Sequence, residues 1–178
     1  MVRRDEAEFL DFATAVRPQL RRTAYLICHD WDRAADIAQE ALIRLYVAWP
    51  RLEQTVGLRA YARRVVVNAA IDQGRRRSST EVLDATPISG VTADPSESTI
   101  DRLLVLEALA ELPPRQRACV VLRYYEDLSV DDVAAALGCR AGTVKSQCAK
   151  GLATLREVFA RHGVEVAVDI ESTEARTW

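Results

Sequence analysis

Apolar residues recur at three- and four-residue intervals through most of the chain, and that period predicts helices rather than strands. Phe9, Phe12, Ala13 and Val16 mark a first helix running up to Pro18. Pro18 suits the first turn of a second helix, where its missing N–H costs nothing. Leu20, Ala24 and Ile27 continue the stripe there. Asp30 or Asp32 is placed to cap a third helix. Its core face is Ala34, Ile37, Ala38, Ala41, Leu42, Leu45 and Trp49, and Pro50 ends it. Leu58, Tyr61, Ala62, Val65, Val66, Ala69 and Ile71 predict a further helix that closes on Arg75, Arg76 and Arg77.

The second half repeats the helical period. Leu103, Leu104, Leu106, Leu109 and Leu112 form one helix, stopped at Pro113-Pro114, and Arg115 to Tyr125 forms the next. Ser129 then reads as an N-cap, with Asp131 and Asp132 in the first turn where the helix dipole favours acids. Gly138 suits a left-handed stop. A longer helix starts near Ala141 and reaches about Phe159. A short helix, a turn at glycine and a longer helix make a helix-turn-helix pattern. Beyond it, Val164, Val166, Val168 and Ile170 alternate with Glu165, Ala167 and Asp169. That is a strand period with nothing evident to pair with, so residues 163–178 read as a poorly ordered tail or a docking segment.

Composition sharpens the division. The chain has 178 residues, 49% of them apolar, with 7 Gly and 6 Pro, which disfavours a sandwich or barrel built on many turns. Residues 57–77 hold six arginines (Arg59, Arg63, Arg64, Arg75, Arg76, Arg77) against Asp72 alone. Residues 78–101 hold five acids, no base, and Pro87, Gly90 and Pro95, which reads as a linker. The expected architecture is therefore all-α. Two helical domains, 1–77 and 102–162, are joined by a flexible acidic linker, 78–101, and followed by the tail. Cys28, Cys119, Cys139 and Cys148 show no CxxC pairing, and no apolar leader or membrane span is visible, which implies a cytoplasmic chain with free thiols.

Candidate chemistry concentrates on polar helix faces. The second helix of the helix-turn-helix presents Arg140, Thr143, Lys145, Ser146, Gln147 and Lys150. Arg, Lys and Gln pair with base edges, and Thr and Ser with phosphates, so this end suits a major groove. Cys139 and Cys148 flank it, about 13 Å apart along a helix, too far for an internal disulfide. Arg63, Arg64, Asn68 and Asp72 share a polar face that Arg75 and Arg76 extend. Read alone, that face is equally a wet surface with cations at a helix C-terminus. Asp36, Gln39 and Glu40, opposite Ile37 and Ala41, read alone as an ordinary exposed face. No nucleophile triad, phosphate loop or metal-ligand spacing occurs, so no enzyme activity, metal or cofactor is expected.

Taken in order, these segments resemble a known family. Residues 33–49, from Arg33-Ala34-Ala35-Asp36 through Gln39-Glu40-Ala41 to Val47-Ala48-Trp49, look like region 2 of extracytoplasmic-function sigma factors of the sigma-70 family. So do residues 61–72, Tyr61-Ala62-Arg63-Arg64 to Ile71-Asp72, with the arginines after them. Leu112-Pro113-Pro114-Arg115-Gln116-Arg117 and Gly142-Thr143-Val144-Lys145-Ser146 resemble region 4. The resemblance spans Phe9 to Phe159, and the wording around Gly138-Cys139 and Lys145-Ser146-Gln147 is nearest the actinobacterial SigE-like subgroup.

The resemblance implies a factor that binds bacterial core RNA polymerase, at the clamp and flap, and directs transcription from chosen promoters. By position, Asp36, Gln39 and Glu40 would face the clamp of the largest subunit. Arg63, Arg64, Asn68, Asp72, Arg75 and Arg76 would meet the −10 element. The loop from Pro50 to Leu58 would form part of a pocket for a flipped base. Arg140, Thr143, Lys145, Ser146, Gln147 and Lys150 would read the −35 element. An anti-sigma factor is a candidate partner; membrane insertion is not expected. Gln147 and Lys150 stand where the family often has Arg, and Gln favours adenine over guanine. Gly151 lies inside the expected reading helix, where it costs about 1 kcal/mol relative to Ala. Elements two helical turns apart lie roughly 70 Å from each other. The 24-residue linker reaches roughly 80 Å only when drawn nearly straight. Two other readings of the residues stay open: a stand-alone helix-turn-helix regulator, and a sigma-like interaction module.

Overall fold

The structure, a computed structural model, describes residues 6–51, 55–79 and 97–164, and these fold into seven α-helices. They are α1 (Glu6–Cys28), α2 (Trp31–Ala48), α3 (Thr55–Ser79), α4 (Glu97–Glu111), α5 (Pro114–Val120), α6 (Val130–Leu137) and α7 (Ala141–Arg161). A 3-10 turn, Trp49–Arg51, follows α2, and a π-helical turn, Val121–Tyr125, follows α5. Among the described residues no helix is long and apolar enough to cross a membrane. The tail beyond 164, most of the expected linker and residues 52–54 of the expected base pocket lie outside the described residues.

The first two predicted helices are one. α1 runs straight through Pro18, which lies on its solvent side. A proline inside a helix costs about 3 kcal/mol through one lost hydrogen bond and a clash. Phe9 and Val16 before it, and Leu20, Ala24 and Ile27 after it, are all buried on one face. Each large apolar side chain contributes about 1.5–3 kcal/mol, so continuity outweighs the local penalty.

Other boundaries follow their caps. The Asp30 carboxylate accepts from the Arg33 backbone N–H at 2.9 Å and starts α2. Ser129 Oγ accepts from the Asp132 N–H at 3.1 Å and starts α6. Gly138 ends α6 in the left-handed region, at φ 61°, as the sequence predicts. α3 and α4 each reach into the segment expected as linker, to Ser79 and from Glu97. The predicted Arg115–Tyr125 helix is also different: after Val120 the backbone widens into the π-turn. There the Glu126 N–H bonds the Val121 carbonyl at 3.0 Å, five residues back.

α1, α2 and α3 pack as a three-helix bundle around Ile27, Leu45, Leu58 and Val66, all fully buried. Tyr25 stacks on Trp31 with ring centroids 3.9 Å apart, and Phe9 meets Trp49 edge-on at 5.2 Å. α4 to α7 form the second unit, with α7 lying across α5 and α6. The two units also pack on each other: α3 touches α5 and α6, and α1 touches α5. A Cβ added to Gly74 in α3 would stand 3.2 Å from the Pro114 ring.

Candidate functional site

Among the described side chains, most predicted site residues lie on the exposed side of a helix whose other side is buried. On α2, Ala34, Ile37, Ala38, Ala41 and Leu45 pack inward, which turns Asp36, Gln39 and Glu40 to solvent. Glu40 pairs with Arg44 at 2.5 Å, both side chains being more than half exposed, so the pair adds little stability. Ile43 and Val47 follow Glu40 along the same stripe and are 56% and 72% exposed. Large apolar groups left this open beside a polar cluster suit a partner surface. The sequence reading did not single them out, although their spacing from Glu40, three and seven residues, puts them on its face.

On α3, Leu58, Ala62, Val66, Val67 and Ala70 are fully buried. Arg64, Asn68 and Asp72, four residues apart, form the exposed stripe. Asn68 Nδ2 donates to the Arg64 carbonyl at 2.9 Å and to the Ala136 carbonyl of α6 at 3.4 Å. Arg63 is half-buried and lies 3.7 Å from the Glu126 carboxylate. Arg75 and Arg76 belong to the last turns of α3, and their side chains lie outside the described residues.

α7 is positioned by Val144, Cys148, Gly151, Leu152 and Leu155, which bury its inner face. Arg140 is its N-cap residue, and Arg140, Thr143, Lys145, Ser146 and Lys150 are exposed, with Gln147 half-buried. Ser146 Oγ donates to the Thr143 carbonyl at 2.9 Å. The six are not on one narrow stripe. At about 100° per residue, Lys145 stands about 160° around the helix from Gln147. Thr143 and Gln147 turn toward α3, where they line one cleft of about 260 Å³ with Asn68, Asp72 and Arg115.

Two features escaped the sequence reading. Gly151 is a packing residue: a Cβ there would stand 2.8 Å from Val120 Cγ2 and 3.0 Å from Leu112 Cδ2. Cys148 finds a thiol partner other than Cys139: α5 brings Cys119 against it, and both are buried. Hydrogen bonding to Cys148, with burial adding to it, pushes the Cys119 thiol well up. The same bond holds Cys148 below the usual thiol range, against the effect of burial. No spacing rule joins residues 119 and 148; the packing of α5 on α7 does.

A buried cation completes the geometry. Arg117 is 8% exposed; its Nη1 donates to the Ile27 carbonyl of α1 at 2.6 Å. Its Nη2 donates to the Ala110 and Leu112 carbonyls, each at 2.8 Å. Burial lowers its pKa to about 10, which leaves it charged at neutral pH. A charged residue amid Ala118, Cys119, Val120 and Val121 was the available sequence signal.

A helix-turn-helix with a polar second helix, packed on a three-helix bundle that carries two further polar faces, is an arrangement suited to a two-part transcription factor. The family model for Sigma-70 region 2 matches residues 12–80, and that for Sigma-70, region 4 matches residues 102–155. The chain belongs to the sigma-70 family of RNA polymerase sigma factors, in its extracytoplasmic-function group. It is 38% identical over 168 residues to the RNA polymerase sigma-E factor of Streptomyces coelicolor, covering 94% of this chain and 95% of that one. It is 34% identical over 154 residues to the ECF RNA polymerase sigma factor SigL of Mycobacterium tuberculosis, covering 82% and 85%. Among solved structures it resembles the sigma factor RpoE of Bartonella quintana, crystallised with the anti-sigma factor NepR. That match has a TM-score of 0.67 at 26% identity and covers 86% of this chain and 97% of that one.

Proposed function

We propose that this sigma factor binds bacterial core RNA polymerase through α2 and carries it to promoters that α3 and α7 select. Asp36, Gln39 and Glu40 meet the clamp of the largest subunit, and Ile43 and Val47 extend that contact with apolar area. Arg63, Arg64, Asn68, Asp72, Arg75 and Arg76 meet the −10 element. Arg140, Thr143, Lys145, Ser146, Gln147 and Lys150 meet the −35 element, while the rest of 102–162 rests on the flap. Residues 1–77 and 102–162 act as the two working units, with 78–101 spanning between them. An anti-sigma factor covering these faces would silence the protein, which works in the cytoplasm beside its polymerase.

One observation carries this reading. Exposed polar residues lie on three helices whose opposite faces are buried, α2 and α3 within the residues matched to region 2 and α7 within those matched to region 4. The formal net charge of −2 fits a factor that relies on polymerase for DNA affinity, since phosphate contacts dominate that affinity. The test is co-elution with core polymerase, followed by run-off transcription. Asp36→Arg/Glu40→Arg should weaken co-elution roughly tenfold or more, through like-charge placement at a charged contact. Undiminished co-elution would remove α2 from the interface. Tight, palindromic DNA binding without polymerase would favour a stand-alone regulator.

A further inference from the structure

The first half of α4 leaves apolar side chains open to solvent. In its second half Ala108 and Leu109 are buried, as is Leu112 just past its end. From residue 102 to residue 107 none is buried. Leu103 is 46% exposed, and Leu104 beside it is half-buried. A short stretch of helix is marginal in water and takes its stability from packing an apolar face. Two leucines left open there make a ridge fitted for a cover.

The end of α7 leads to that ridge. Arg161 pairs with Glu111, and His162 Nε2 lies 3.9 Å from the Glu107 carboxylate. Glu111, Glu107 and Leu103, four residues apart, stand in one row of α4. One residue forward at the end of α7 is thus one turn back along α4, and the next turn back holds Leu103 and Leu104. A Schellman stop releases the chain at this place. The Val164 N–H donates to the Phe159 carbonyl at 3.0 Å, and the Gly163 N–H to the Ala160 carbonyl at 3.1 Å. Gly163 takes φ 72° to allow it. Val164 is 38% exposed there.

The sequence that follows carries a matching pattern. Val164, Val166, Val168 and Ile170 alternate with Glu165, Ala167 and Asp169. An extended segment puts its four β-branched side chains on one side and both acids on the other. Among the described residues there is no strand for it to pair with. The six residues beyond Val164 reach roughly 20 Å when extended. The turn from Glu107 to Leu103 is about 6 Å along the helix axis, so reach is not limiting.

We propose that residues 164–170 fold back along α4 and cover Leu103 and Leu104 with Val166 and Val168, leaving Glu165 and Asp169 in water. The same ridge on a second copy of the chain is the competing occupant. A segment tethered this closely acts at an effective concentration of about millimolar, so it prevails over a second copy in dilute solution. The docking stands whether or not α3 and α7 read promoter elements.

The experiment uses the full chain with Leu103→p-benzoylphenylalanine and, in a second sample, Val105→p-benzoylphenylalanine. Val105 is 44% exposed and lies about 160° around α4 from Leu103. After irradiation of dilute protein, mass spectrometry should find position 103 joined to a peptide holding residues 164–170 of the same chain, with little or none joined to position 105. Hydrogen exchange gives a second reading with Leu103 intact. Val166→Asp/Val168→Asp should speed exchange of the amides of residues 103–107 severalfold and leave those of α2 unchanged. Crosslinks between two chains would assign the ridge to a second copy and overturn the proposal. Equal yields from the two positions, no crosslink to residues 164–170, or exchange in the double variant that is unchanged or faster throughout the chain would overturn it as well.

Discussion

Helix propensity and tertiary packing make opposite predictions for Gly151→Ala. In a solvated helix the change stabilises by about 1 kcal/mol, because glycine has the larger backbone entropy to lose. At Gly151 the added Cβ meets Val120 Cγ2 at 2.8 Å and Leu112 Cδ2 at 3.0 Å. Both neighbours are themselves buried, at 5% and 1% exposure, so neither has open space to move into. Overpacking of this kind costs about 1–3 kcal/mol, which exceeds the propensity gain over most of its range. The expected net effect is a loss of about 1 kcal/mol, or roughly 2–4 °C in Tm for a chain of this size. Gly142, in the first turn of the same helix, has nothing within 4 Å of its would-be Cβ. Gly142→Ala should therefore raise Tm by up to about 2 °C. Thermal melts of the two variants, followed by helical circular dichroism, make the comparison. A Tm for Gly151→Ala raised as much as that for Gly142→Ala would refute the packing argument.

Two further outcomes follow from the caps and the thiols. Ser129→Ala removes the acceptor for the Asp132 N–H and should cost about 1 kcal/mol, lowering Tm by about 2–4 °C in the same melts. In the native protein, a thiol reagent should modify half-buried Cys139 before the buried thiols. Of the buried pair, Cys148 is 8% exposed against 2% for Cys119 and should react first. Mass spectrometry of peptides from timed labelling reads the order, and early labelling of Cys119 would contradict it.

The sequence by itself determined what depends on near neighbours. The inward faces of α2, α3 and α7 follow from apolar residues three and four apart, and the ends of α6 from Ser129 and Gly138, each acting over a single turn. The exposure of Asp36, Glu40, Asn68 and Lys150 follows from the same period, since a buried stripe fixes the polar one opposite. Only the tertiary structure decided whatever depends on residues distant in the chain. Pro18 lies within one helix because buried contacts on both sides outweigh a local penalty. Gly151 is required by side chains from α5 and from Leu112, just past α4. Cys148 meets Cys119 rather than Cys139, and Glu126 and Arg117 find partners about a hundred residues away. A helical period states which side of each helix is inward, but not which helix will lie against it. That pairing is set by how the buried faces fill space together, and it places Asn68 opposite Gln147.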